Sequence, residues 1–480
     1  MTKKSVRKNY IYNVCYQILV LIIPLITTPY ISRVLGADGI GVVSYAESVV
    51  SYFVLFGTLG ITTYGQREIS YVQDSIEKRS ITFWNIKLFE ITSGGIALIL
   101  YVLYMTYETT NHIYYFLIFQ VVAVIVDITW FYQGLEEFGK IVAKNIFFKS
   151  LNIVYLFGFV RSADDIYKYA FGLAFFTFLG NLSLWWNVRK YITRISVKEL
   201  QPFKRTCEIL LLFIPAIAIN VYTVLDKTMI GIITQDSFQN GYYEQAIKIS
   251  KLVLTLVTSL GTVIMPRIGY YFKQGDTCEV TKLMYNGFKF VFLLGIPLCI
   301  GLMIVSSNFV PWFYGPGYEN VILLLKILPI LIIVIGISNI TGTQYLIPTK
   351  RENLLTLTVV LGALTNFSLN TFMIRIYGAM GAAIASVIAE TVIAVSQLLV
   401  LRRELSIIEI FKGGANYYIA SIIMAILLYW SAHFFMPSIV NTFILILIGF
   451  SSYVILLIVL RDDFFLFNIT KIMYMIRKRR

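Results

Sequence analysis

Asp226 and Lys227 stand side by side in "TVLDKTMIG", residues 223–231, within an otherwise apolar stretch. Charged groups inside hydrocarbon are rare and costly, so each needs a partner, water or a ligand. Neighbours on a helix point about 100° apart, so these two do not simply neutralise each other. One reading is an inter-helix ion pair with Glu47 or Lys248. The other makes Lys227 a cavity-lining cation that meets a phosphate or an acidic sugar, tempered by Asp226. Lys248 and Lys251 are spaced i, i+3 and share a helix face. Two cations there repel each other unless water or an anion lies between, and Glu244 offsets only part of that. Glu47 falls at similar depth in the other half of the chain. Arg33 sits at a helix end, where it either lines the same path or snorkels to the interface. Arg33, Glu47, Asp226, Lys227, Lys248 and Lys251 are therefore the candidate substrate-binding residues.

A second constellation suits a small cation. Glu390 falls near the middle of an apolar run, "ASVIAETVIA", with no cation on its own turns. A carboxylate there either takes up a proton or meets a cation from another helix. Asn366 and Asn370 are spaced i, i+4, and Asn220 lies at comparable depth. Together the four make a carboxylate–amide set for H⁺ or Na⁺ as a coupling ion; a helix-packing hydrogen-bond cluster is the alternative. Lys87 and Glu90 read as an intrahelical ion pair, and Asp127 and Lys149 as groups reaching headgroup water. The four cysteines and two histidines fit no metal site, and no catalytic set is present, so neither a metal nor an organic cofactor is expected.

The elements that must hold these residues are set by composition. The 480 residues are 58% hydrophobic and only 14% charged, far from the balance of a soluble domain. Apolar runs recur along the whole chain, each long enough to cross a hydrocarbon core of about 30 Å as a helix. The reading is an all-α polytopic membrane protein with about fourteen transmembrane helices. They fall near 12–32, 42–62, 81–104, 113–132, 142–160, 167–187, 209–233, 242–265, 286–305, 321–342, 354–376, 379–401, 417–435 and 439–460. "MTKKSVRKNYIYNVCYQ" leads into the first run with no small-residue cleavage site, so that helix is expected to stay. Trp130, Trp185, Trp186 and Trp312 fall near span ends, as interfacial aromatics do.

The net charge of +14 is distributed by topology. Basic residues crowd the first segment, every second loop after it and the terminal "IRKRR", while the alternate loops hold only Arg33, Arg161, Lys168 and Arg375. By the positive-inside rule both termini are cytoplasmic, and a nucleic-acid partner is excluded because the charges are spread over many loops. An internal repeat is also visible. Gly41, Ala46 and Arg67 match Gly241, Ala246 and Arg267 at an offset of 200, and Pro24 and Pro215 occupy the preceding helices. Two six-helix lobes in parallel pseudo-repeat follow, with a substrate path between them. The expected divisions are an N-terminal lobe (1–187), a cytoplasmic linker (188–208), a C-terminal lobe (209–405) and an appendix of two helices with a basic tail (406–480).

The stretches "PLITTPYISRVLGADGIGVVSYAESVVSYF", "WFYQGLEEFGKIVAKN", "YTVLDKTMIG", "GYYEQAIKI", "VIMPRI" and "YGAMGAAIASVIAE" run in order through the first twelve helices. Together they resemble the polysaccharide repeat-unit (O-antigen and capsule) flippases of the multidrug/oligosaccharidyl-lipid/polysaccharide exporter superfamily. The resemblance implies a V-shaped alternating-access transporter, not an enzyme, in the bacterial cytoplasmic membrane. It would move a polyprenyl-diphosphate-linked oligosaccharide from the inner to the outer leaflet, among membrane lipids. Polysaccharide polymerases and glycosyltransferases of the same pathway would be its partners. Flippases of teichoic-acid or other cell-wall precursors are alternatives. A multidrug exporter of the same superfamily would favour acidic cavities for its cationic substrates, which the intramembrane lysines oppose. A membrane glycosyltransferase or polymerase would need a catalytic loop, and the outer loops are too short for one.

Overall fold

The computed structural model describes residues 6–477 apart from 109, 110 and 260; the side chains of 6–21, 211–212, 214–223, 262–263 and 472–477 also lie outside the description. The described backbone is predominantly helical, and no strands occur among the described residues. In chain order the helices are α1 (Val6–Thr58), α2 (Ile61–Tyr71), α3 (Ile76–Tyr107), α4 (Ile113–Val126), α5 (Thr129–Gly134), α6 (Phe138–Phe159) and α7 (Ile166–Ser183). After the loop that carries the basic run come α8 (Thr206–Thr234), α9 (Ser237–Thr258), α10 (Gly261–Gln274), α11 (Thr277–Phe313), α12 (Glu319–Leu324) and α13 (Ile330–Ser338). A π-helical turn, Asn339–Leu346, continues α13. Then follow α14 (Glu352–Tyr377), α15 (Ala379–Leu401), α16 (Ile407–Lys412), α17 (Ala415–Phe434), α18 (Ile439–Val459) and α19 (Asp463–Arg477).

The expected spans overlap helical backbone, with breaks inside several of them, as at the turns between α12 and α13. Among the described residues, nine helices are individually long and apolar enough to cross a membrane. Fewer are picked out than expected partly because some spans are fused and others broken. The first two expected spans form one helix, kinked at Gly36, whose φ of 69° lies in the left-handed region that a residue without Cβ enters cheaply. The fourth span breaks between α4 and α5, where Asp127 and Ile128 leave helical geometry. The Asp127 carboxylate accepts from the backbone N–H (2.9 Å) and hydroxyl (2.5 Å) of Thr129, an Asx turn that starts α5.

The chain divides into two compact units, Met1–Gly231 and Ile232–Arg480. This division falls inside α8, whereas the basic loop 188–208 was the expected lobe boundary. Each unit repeats a local device. In the first, a helix ends at Thr58 and the next begins at Ile61; in the second, a helix ends at Thr258 and the next begins at Gly261. The restarted helix packs on α5 in the first unit and on the π-helical turn in the second. The offset of 200 seen in the sequence thus reappears as matched helix breaks.

Core packing is aromatic in the first unit. The whole of Trp130, Phe131 and Tyr132 is buried, against Phe83, Leu184 and Ile209. Trp130 is therefore not interfacial: its indole N–H reaches a buried carboxylate and its ring fills the space over Gly65. Trp186, by contrast, is largely exposed. The second unit is held by aliphatic and Phe contacts among α11, α13, α17 and α18.

Candidate substrate path and ion sites

In the first unit, α1 and α8 share a polar seam. The Thr228 hydroxyl donates to Ser48 Oγ (2.9 Å) and lies 3.0 Å from the Tyr52 hydroxyl. Gly231 packs against the Tyr45 ring so closely that a Cβ there would sit 2.2 Å from it. The end of "TVLDKTMIG" is thus a packing face toward α1. Beside that face Asp226 is buried and Lys227 half-buried, and both engage partners. Glu47 lies one residue before Ser48, half-buried, and accepts from the Gln120 amide at 3.1 Å. Arg33 is exposed. Glu47, Asp226 and Lys227 therefore belong to the same unit, flanking one α1–α8 seam.

In the second unit, α9 carries Lys248, half-buried, and Lys251, exposed; both have partners. Asn240 and Gln245 on the same helix are buried, and Tyr243 lies 3.3 Å from Ser386 of α15. Asn366 and Asn370 are fully buried on α14, and the Asn370 amide donates to Asn366 Oδ1 at 2.9 Å. Glu390 is half-buried on α15, which packs along α14: a Cβ on Gly362 would meet Ile393 at 2.3 Å and the Ala389 carbonyl at 3.4 Å. The i, i+4 spacing thus becomes a real Asn–Asn contact, on the helix packed against the one that carries Glu390. The Asn220 side chain lies outside the description.

Sequence spacing paired Lys87 with Glu90 but did not show what surrounds them. Lys87 Nζ lies 2.8 Å from Glu90 Oε2, with both side chains almost fully buried. The same ammonium donates to the Asp127 carbonyl at 2.7 Å, and Trp130 Nε1 donates to Glu90 at 3.3 Å. The break after α4 frees backbone carbonyls, and side chains take them up: Trp185 Nε1 donates to Val126 (2.7 Å) and Asn181 to Ala123 (3.0 Å). Within a membrane, non-helical backbone is tolerated only where such partners exist. The expectation that Asp127 merely reaches headgroup water is replaced by its role in the turn. The second unit's counterpart is a neutral network at the π-helical turn. Thr341 donates to Gln397 (2.6 Å), and Gln397 donates to Thr358 (3.2 Å). At the exit of that segment Arg351 pairs with Glu404 at 2.5 Å, and the carboxylate holds the guanidinium above its usual pKa.

A polar strap joins the loop after α7 to α2, α3 and the start of α8. Arg79 Nε donates to the Tyr191 carbonyl (2.8 Å), and the Gln201 N–H donates to Asn85 (2.7 Å). Arg205 bonds Glu68 at 2.8 Å, and Arg67 reaches Glu208 at 3.4 Å.

Comparison with known proteins places this architecture. The family described as "Polysaccharide biosynthesis protein" matches residues 6–272, and the family "Lipid II flippase MurJ" matches residues 146–451. An Escherichia coli (strain K12) protein named "Putative O-antigen transporter" is 23% identical over 417 residues, covering 83% of this chain and 97% of the relative. The fold is similar to the inward closed conformation of lipid II flippase MurJ, with a TM-score of 0.69 at 17% identity over 95% of this chain and 99% of that one. It also resembles an inward-facing multidrug resistance MATE transporter of the MOP superfamily, with a TM-score of 0.56 at 15% identity over 80% and 98% of the two chains. Matched over more than half its length by the first of these families, and also by the lipid II flippase family, the chain belongs to the polysaccharide biosynthesis protein family.

Proposed function

We propose that this multi-pass membrane protein carries polyprenyl-diphosphate-linked oligosaccharide repeat units from the inner to the outer leaflet for surface polysaccharide synthesis. The observation that carries the reading is the family match together with a relative, named as an O-antigen transporter, aligned along nearly its full length. The physics fits. A diphosphate and several sugars cannot cross hydrocarbon unaided, because burying ionised groups without partners is prohibitive. A polar path lets the head pass while the tail stays in lipid. Fourteen crossings with both termini cytoplasmic, two lobes alternating in access, and Arg33, Glu47, Asp226, Lys227, Lys248 and Lys251 along the path complete the proposal. Scattered lysines tempered by acids hold a diphosphate without trapping it. Moving about two negative charges outward against 100 mV, inside negative, is favourable by roughly 4–5 kcal/mol if no ion compensates. Asn220, Asn366, Asn370 and Glu390 are proposed to take H⁺ or Na⁺ as coupling ion. Polymerase and glycosyltransferases act on either side of the flipping step.

The match to the lipid II flippase family favours one second reading, a cell-wall precursor with the same lipid diphosphate and a different head. Deletion separates them. Loss of the protein should leave lipid-linked repeat units on the inner leaflet with their synthesis intact and surface polysaccharide lost. Normal surface polysaccharide in a deletion strain without a paralogue overturns the first reading, and arrested peptidoglycan synthesis there supports the second.

A further inference from the structure

We propose that a cavity of about 280 Å³ beside the start of α6 binds the phosphate of an anionic phospholipid of the surrounding bilayer. Its walls include Lys140, Lys144, Ser183, Asn187, Phe147 and Phe148, and no carboxylate lines it among the described residues. The two lysines are i, i+4 on one helix face. Both are held by neutral oxygens: Lys140 donates to the Tyr191 hydroxyl (2.5 Å), and Lys144 to Asn181 Oδ1 (2.8 Å) and Thr129 Oγ1 (3.4 Å). These bonds orient the ammonium groups without cancelling their charge. Glu137 and Asp127 act on them electrostatically from outside the cavity lining. An anion here would be met by two cations and the Asn187 amide, since the Ser183 hydroxyl already donates to the Gly180 carbonyl (2.7 Å).

The tail has a place too. Phe147 is a cavity wall and 62% exposed, and it opens an apolar stripe through Leu151 (39%) and Val154 (69%) along α6. From Lys144 to Val154 the helix rises about 15 Å, roughly half a hydrocarbon core, which is the reach of one acyl chain. Trp186, 90% exposed, and the exposed Arg189 and Lys190 follow on the adjoining turn, the composition of a membrane-interface rim. A phosphate group at one end of the cavity and an open apolar track at the other define a lipid, not a free phosphate.

Native mass spectrometry of the detergent-purified full chain with added phosphatidylglycerol or phosphatidylcholine tests the site. Wild type should retain phosphatidylglycerol in preference. A basic residue near a membrane surface attracts an anionic lipid enough that Lys140→Gln or Lys144→Gln should weaken retention about fivefold, and the pair roughly twentyfold. Because Lys144 also bonds Asn181 and Thr129, Phe147→Glu serves as a second probe: it changes an exposed residue of the track and should abolish the preference while leaving thermal stability unchanged. Lys190→Gln, outside the cavity, should have no effect, and Lys140→Arg should keep most of the binding. Equal retention of phosphatidylcholine, or an unchanged preference in both Lys140→Gln and Phe147→Glu, overturns the proposal. So does retention of an isoprenoid diphosphate with none of phosphatidylglycerol.

Discussion

Lys87 and Glu90 are fully charged residue types placed where neither meets solvent, and what makes this tolerable is the number of groups that converge on them. The ammonium has a carboxylate and a backbone carbonyl; the carboxylate has the ammonium and an indole N–H. Breaking a buried pair from one side leaves an uncompensated charge, which costs about 3–5 kcal/mol, whereas replacing both partners with apolar groups of similar size is often close to neutral. Lys87→Met alone should therefore lower the thermal stability of the detergent-purified protein sharply, and the double variant Lys87→Met, Glu90→Met should recover only part of it, because the Asp127 carbonyl and the Trp130 indole N–H still lose these partners. A single variant as stable as wild type would show that the pair contributes nothing to the fold. Lys227 behaves differently under the functional proposal. It is half-buried beside the α1–α8 seam, so Lys227→Gln should leave membrane abundance near normal while export of the anionic lipid falls, and Lys227→Arg should retain part of it. Normal export at normal abundance in Lys227→Gln, Lys248→Gln and their combination would remove these lysines from the path.

At the scale of elements, α14 and α15 show how small residues let two helices approach. Gly362 faces the Ile393 side chain, and Gly381 faces the Met373 carbonyl, which a Cβ would meet at 2.2 Å. A side chain can shift to another rotamer; backbone cannot move without disturbing the turn that joins the helices. Gly362→Ala should thus cost stability that Ile393→Ala restores, while Gly381→Ala should destabilise without rescue by any nearby side-chain truncation. Melting curves of the four proteins check this, and rescue of Gly381→Ala by Ile393→Ala would contradict the assignment. The strap from the loop 191–205 to α2 and α3 is a second element-scale device. It combines two backbone-directed bonds with a carboxylate–guanidinium chain through Glu68, Arg205, Arg67 and Glu208. The ion pairs on its exposed side are worth only about 0–1 kcal/mol each and weaken with salt, whereas Arg79, which bonds the Tyr191 carbonyl, is buried.

For the whole molecule, the proposed orientation rests on where the basic loops lie. In a background with Cys15, Cys207, Cys278 and Cys299 replaced, a single cysteine at Gln235 or Pro316 should react with an impermeant maleimide in intact cells. One at Lys198 or Lys350 should react only after permeabilisation. All four positions are exposed, so failure to label reflects sidedness and not burial. Labelling of Lys198→Cys in intact cells would overturn this orientation.

Helical content and membrane class were legible in the sequence, because hydropathy over a window of about twenty residues is a local property and lipid admits helices almost alone. The repeat at an offset of 200 was legible for the same reason, since the matched breaks after Thr58 and Thr258 follow local sequence. The spacings of Lys87 with Glu90 and of Asn366 with Asn370 also foretold contacts, because i, i+3 and i, i+4 neighbours share a helix face. What tertiary structure decided was which partner each face met. Nothing in the order of residues told that Trp130 would turn inward to Glu90, that Asp127 would start a helix, or that Thr228 would bond across to Ser48, 180 residues away. Those outcomes depend on helices packing side by side, and the rotation and depth of each helix against its neighbours is a long-range property that hydropathy does not encode.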